Sequence, residues 1–196
     1  MTDVSFNDRH GTLSDGEVLR IQRRLPGSME RVWSYLTESE LRRQWLASGH
    51  MPLHAGATFE LVWRNDDLSD APADRPEGFP AESRATCEFV EVEPPHRLRY
   101  LWPGVGEVSI ELEASGQEVL LTLTHRRLSG ENLILNVCAG WHAHLARLVA
   151  LLHGRQPPSL WSTWKHLRQE YEEQLCASFF PPPHDRAGLP NFGSRK

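Results

Sequence analysis

Residues 119–152 read VLLTLTHRRLSGENLILNVCAGWHAHLARLVALL, and within this stretch the apolar periodicity changes from two residues to about 3.6. Val119, Leu121, Leu123 and His125 share one face of a strand whose other face carries Thr122 and Thr124. Past Leu128 the pattern becomes helical. Ile134, Cys138, Trp141, Leu145, Leu148 and Leu152 fall within one arc of a long amphipathic helix, and Gly154 with Pro157-Pro158 supplies its stop signals. A strand with one apolar face that runs into a helix with one apolar stripe predicts that the helix closes over a sheet made upstream.

Working back towards the N-terminus, the period-two pattern persists. Val108, Ile110 and Leu112 alternate with Ser109, Glu111 and Glu113, and Ser115-Gly116 turns the chain into residues 119–125. Leu98, Tyr100 and Trp102, then Ala85, Cys87 and Phe89, then Phe59, Leu61 and Trp63 continue it, with Glu60, Val62 and Arg64 opposite the last set. Pro94-Pro95 and Pro103-Gly104 punctuate what reads as an antiparallel meander. The segment 64–83, acidic and proline-rich, reads as a loop too polar to pack, or as a lid. In residues 17–25 (EVLRIQRRL), Leu19, Ile21, Arg23 and Leu25 share one side of a first strand. Ser28 then caps a short helix carrying Met29, Val32, Trp33 and Leu36, and Thr37-x-x-Glu40 has the pattern of a capping box for a second helix with Leu41, Trp45 and Leu46. Beyond the long helix, Leu160, Trp164, Leu167, Tyr171 and Leu175 form a stripe on an added helix over 159–175, expected to dock on its own domain. The domain organisation is therefore an arm at 1–16, one domain at 17–175 and a flexible tail at 176–196.

A chain of 196 residues with 39% apolar and 24% charged residues fits one folded domain with one core. The net charge of −5 is concentrated at residues 65–77, where Asp66, Asp67, Asp70, Asp74 and Glu77 face Arg75 alone. The absence of a basic stripe argues against nucleic acid and anionic membranes as partners. The apolar run 133–152 is interrupted by Asn136, His142, His144 and Arg147 and is read as falling short of a bilayer span, so no membrane insertion is expected. The opening MTDVSFNDRHG lacks the basic and apolar regions of a secretory signal, giving an expectation of a cytoplasmic location. Three cysteines without a CxxC spacing predict neither a disulfide framework nor a thiolate zinc site.

The stretches RRLPGSMERVWSYLTESELRRQWL, VEVEPPHRLRYLWP, EVLLTLTHRRL and AGWHAHLARLVALL, in that order, resemble the START-like (SRPBCC, Bet v 1-like) helix-grip superfamily, and within it bacterial homologues of the activator of the heat-shock-protein-90 ATPase. The resemblance spans roughly residues 17–175. It implies an α+β helix-grip fold, in which a curved antiparallel sheet and a long C-terminal helix enclose an apolar cavity used across the superfamily for hydrophobic molecules. Many functions share this fold, so the site has to carry the functional argument.

Seven tryptophans are present, and Trp33, Trp45, Trp63, Trp102 and Trp141 lie on predicted inward faces. The expected cavity wall comprises Phe59, Leu61, Trp63, Phe89, Tyr100, Trp102, Leu123, His125, Trp141 and Leu145, and the expected partner is a small hydrophobic or aromatic ligand. His125 is read as a residue that tunes binding without performing catalysis, since no orienting carboxylate can be assigned to it. A cyclase, hydrolase or dehydratase using His125 or Tyr100 is the enzymatic alternative, and a co-chaperone-like interaction module a third. No cofactor is expected. No metal site is expected either: His142 and His144 are two apart on a helix and point to different sides, while His50-x-x-x-His54 lies beside Gly49 and Pro52 in a loop. Cys87 and Cys138 read as small buried hydrophobes. The chain is expected to be a monomer or a homodimer.

Overall fold

In the computed structural model, which describes residues 4–14 and 17–179, the stretch that changes period lies at the centre of the fold. Strand β7 (Glu118–Arg126) pairs antiparallel with β6 (Gly106–Ser115), setting Val108 opposite His125, Ile110 opposite Leu123 and Leu112 opposite Leu121. On its other side β7 pairs with β2 (Val18–Pro26), so Leu19 and Ile21 extend the same rows. The meander continues through β5 (Arg97–Trp102), β4 (Ser83–Glu93) and β3 (Thr58–Trp63), and a short β1 (Thr12–Ser14) completes a seven-stranded sheet in the order β1-β2-β7-β6-β5-β4-β3. One row crosses five strands, from Leu19 through His125, Val108 and Tyr100 to Phe89. The fold is the α+β helix-grip architecture that the resemblance implies.

The long helix α4 (Glu131–Leu152) lies against this sheet. Its sheet-facing stripe is almost fully buried at Cys138, Trp141, Leu145, Leu148 and Leu152. By length and composition α4 does reach what a bilayer span requires, which corrects the reading of 133–152 as too polar, but 67% of its most apolar window is buried inside the protein. Helix α5 (Leu160–Phe179) runs past the expected end at Leu175 and docks on α4, burying Leu160, Trp164, Leu167 and Tyr171. The side chain of Leu175 lies outside what is described, as does the expected flexible tail from residue 180 onward.

Between β2 and β3 lie α2 (Met29–Thr37) and α3 (Ser39–Arg42). Ser28 caps α2 as expected, accepting from the Arg31 amide at 3.3 Å. The capping box at Thr37 does not form. Thr37 is still the last residue of α2, so its hydroxyl donates back to the Trp33 carbonyl at 2.9 Å, and Glu38 occupies the cap position of α3 without a side-chain bond. Arg42 is buried and clamps backbone carbonyls of Thr37 (2.8 Å), Ala47 (3.1 Å) and Gly49. Burial lowers its pKa only to about 10, leaving it charged at neutral pH.

The acidic loop, read as too polar to pack, is structured, and the described part of the arm carries elements of its own. The acidic loop forms 3-10 turns at Asn65–Leu68 and Pro72–Asp74 and buries Leu68 against the core. Arg147 of α4 reaches into it, donating to the Leu68 carbonyl at 2.8 Å, and also binds the carbonyl of Pro158. The arm contributes α1 (Val4–Asn7) and β1. Asn7 exchanges two hydrogen bonds with the Arg24 backbone at 2.9 and 2.7 Å, and the Gly11 amide donates to the Tyr171 hydroxyl at 2.8 Å.

Candidate functional site

At one end of the sheet, β3, β4 and β5 diverge from α4 and α5 and leave a cleft of about 240 Å³, open on one side. A stack of rings forms its sheet wall. Trp63 and Trp102 lie face to face at 4.9 Å and 10°, and Trp102 stacks on His125 at 5.9 Å and 20°. Gly106, paired with Trp102 across β5 and β6, makes this reach possible. It adopts φ 139, and a side chain there would meet the Arg126 carbonyl at 2.1 Å and the His125 ring at 3.1 Å.

His125 is fully buried, and its Nδ1 lies 3.0 Å from the indole Nε1 of Trp141. An indole N–H can only donate, so Nδ1 is the acceptor and Nε2 carries the hydrogen. That hydrogen has no well-formed partner; burial pushes the His125 pKa down to about 4, only partly offset by the Val105 carbonyl. The ring is therefore a neutral prop for Trp141.

The opposite wall comes from α4, α5 and the acidic loop. Phe79 meets Trp161 and Trp164 edge-on, at 5.4 Å and 63° and at 5.0 Å and 72°. The loop is held there by its own acids: Asp66 accepts from Trp161 Nε1 at 2.8 Å and pairs with Arg75 at 3.1 Å, while Ser69 Oγ accepts from the Trp161 amide. Trp164 Nε1 donates to the Asn136 carbonyl at 3.3 Å. On α4, Val137, Gly140, Trp141 and His144 face the cleft. His144 is 7% exposed, and its Nδ1 lies 2.6 Å from the Trp45 carbonyl. A carbonyl can only accept, so Nδ1 carries the hydrogen and Nε2 is the bare lone pair of a ring that borders the cleft. Burial lowers the His144 pKa to about 4, with the Trp45 carbonyl opposing the shift and Arg147 adding to it.

Of the wall residues expected from sequence, Trp63, Trp102 and Trp141 line this cleft. His125 stands behind them. Phe59, Phe89 and Tyr100 form a separate aromatic cluster, with Phe59 on Phe89 at 4.2 Å, and together with Leu61, Leu123 and Leu145 they belong to the packed core rather than to the cleft lining. Burial raises the hydroxyl pKa of Tyr100 far above its ordinary value and pushes the Cys87 and Cys138 thiols up to about 12, so none of the three is poised to ionise. His144, Gly140, Phe79, Trp161 and Trp164 were not singled out as lining. A signal existed on α4, where Val137, Gly140, Trp141 and His144 recur at helical spacing as a second stripe beside the sheet-facing one. Among the described residues no group of three or more His, Cys, Asp or Glu side chains is arranged to hold a metal ion. Two larger depressions, of about 270 and 370 Å³, contain no Trp, Tyr or Phe and are edged by groups such as Arg155 and Gln156, or Arg43 and Asp67.

The fold has counterparts among solved structures. The protein encoded by gene BPP1335 from Bordetella parapertussis shares 39% identity and a TM-score of 0.72, covering 86% of this chain and 92% of that one. CalU16 from Micromonospora echinospora shares 23% identity and a TM-score of 0.59, over 80% of this chain and 86% of its own. DynU16, from the dynemicin biosynthetic locus, shares 22% identity and a TM-score of 0.52, over 73% of this chain and 49% of its own; these last two likenesses speak to the fold alone. No curated protein matches the chain. Residues 26–153, most of the sheet and all of α4, match the family described as activator of Hsp90 ATPase homolog 1-like proteins, and the chain belongs to that family.

Proposed function

We propose that the protein binds a small hydrophobic, largely aromatic molecule in the cleft between the sheet end and α4–α5. The observation that carries this reading is the lining itself: five indoles and the Phe79 ring converge from the sheet, both long helices and the acidic loop on one open space. Large rings left in contact with a cleft are what a ligand pocket requires, whereas a core of the same size would bring them into mutual contact throughout. Binding rather than catalysis fits the histidines, because His125 is spent on holding Trp141 and a ring with a pKa near 4, as in His144, is a weak base at neutral pH. The location of DynU16 in a biosynthetic locus is consistent with a role towards small molecules on this fold.

The test is titration with a fluorescent apolar probe while following tryptophan emission. One probe should bind per chain, quench the emission, and compete with any molecule that native mass spectrometry finds carried through purification. Gly140→Leu, which projects a side chain into the cleft, should abolish the quenching at unchanged fold. Binding that survives this substitution would place the ligand elsewhere.

A further inference from the structure

We propose that the cleft selects a hydroxylated aromatic molecule whose hydroxyl donates to Nε2 of His144. This deepens the binding role above and rests on it. The polar groups on the wall are unequally committed. The N–H groups of Trp141, Trp161 and Trp164 are already donated to His125, Asp66 and the Asn136 carbonyl, and the Nδ1 hydrogen of His144 goes to Trp45. On the helical wall this leaves His144 Nε2, and among the described residues nothing donates to it.

The helical wall thus offers one lone pair inside an aromatic lining. A ligand with rings alone would strip water from His144 Nε2 and return nothing, and the uncompensated acceptor would weaken binding. One hydroxyl hydrogen aimed at that nitrogen restores the bond. The depressed pKa keeps the ring an acceptor at neutral pH rather than a cation. The volume of about 240 Å³ exceeds the roughly 150 Å³ that accepts a benzene in an apolar cavity, and so suits about two fused rings.

The experiment compares 1-naphthol, naphthalene and 1-methoxynaphthalene by tryptophan quenching and calorimetry. The methoxy compound keeps naphthol's rings and oxygen, is larger by one methyl group and more apolar, and has no hydrogen to donate. The wild-type protein should favour naphthol over it by roughly two- to tenfold, the worth of one net hydrogen bond. In His144→Phe, which keeps a ring in place, the ratio should fall to about one. The 15N resonance of His144 Nε2 in the wild-type protein should move with naphthol and not with the ether, a readout that does not depend on how the variant folds. Equal affinity for naphthol and its ether in the wild type, or a preference that persists in His144→Phe, overturns the assignment while leaving the binding role standing. Failure of all three compounds to bind removes the binding role itself.

Discussion

Gly140 allows the open cleft to be tested without any ligand. It lies in the interior of α4 with its Cα facing the cleft, and a Cβ built there would meet only Trp164 Nε1, at 4.0 Å. That is ordinary van der Waals contact. Gly in a helix interior costs about 0.8–1.0 kcal/mol relative to Ala, through backbone entropy in the unfolded chain. Gly140→Ala should therefore stabilise the protein by about 1 kcal/mol, raising the melting temperature by about 2–4 °C for a chain of this size. Calorimetry or urea unfolding at fixed pH measures it, with Gly106→Ala as the opposite control. At Gly106 the φ of 139 and the Arg126 carbonyl 2.1 Å from the added carbon should make the same change destabilising by more than about 1 kcal/mol. A melting temperature that falls in Gly140→Ala would mean that the methyl has no room, and the argument for an open cleft would fail. A rise would mean that the native sequence forgoes helix stability at an α4 position where a side chain would narrow the cleft.

Two further outcomes follow from the burial of charged and apolar groups. Burial holds the pKa of His125 and His144 at about 4 and, with help from Arg23 and His10, that of His142 at about 3, whereas unfolded histidine titrates near 6.5. Between these values the unfolded chain binds more protons than the native one, so stability is full above about pH 6.5 and is lost as pH falls towards 4. Each ring contributes on the order of 2–3 kcal/mol to that loss, and His142→Gln should flatten the curve of unfolding free energy against pH; a curve equally steep in the variant would contradict the assignment. Truncation after Pro158 removes a helix that buries Leu160, Trp161, Trp164, Leu167 and Tyr171, each worth about 1.5–3 kcal/mol by transfer. The truncated protein should melt several degrees lower and bind apolar dyes, and an unchanged melting curve would show that α5 contributes little.

The strands and long helices were legible because each has a period, and a period names the face that must be covered. Leu19, Ile21 and Leu25 are buried where alternation puts them, and so is Arg23. The same pattern is blind to depth. It places Phe89 and Trp102 on one face alike, yet Phe89 packs against Phe59 and Tyr100 while Trp102 borders open space, a difference set by where α4 and α5 leave the sheet. The Phe79 and Trp161 wall was hidden for a similar reason. It exists only because Asp66 and Ser69, polar residues that a composition argument assigns to solvent, satisfy the N–H groups at the start of α5. Arg42 and Arg147 bind backbone carbonyls scattered along the chain, and no spacing rule anticipates such clamps.

The bond between Gly11 and Tyr171, with His10 beside Glu170 at 2.9 Å, ties together points separated by 160 residues. Bringing the ends of so long a loop together costs roughly 4–5 kcal/mol of chain entropy. Two partly buried contacts cannot offset that on their own, so the clasp joins ends that the sheet and α4 have already brought near each other. It ties the arm to the same helix, α5, that carries Trp161 and Trp164. Amide exchange at Gly11, whose N–H is donated to Tyr171, therefore reports on how firmly the arm holds α5.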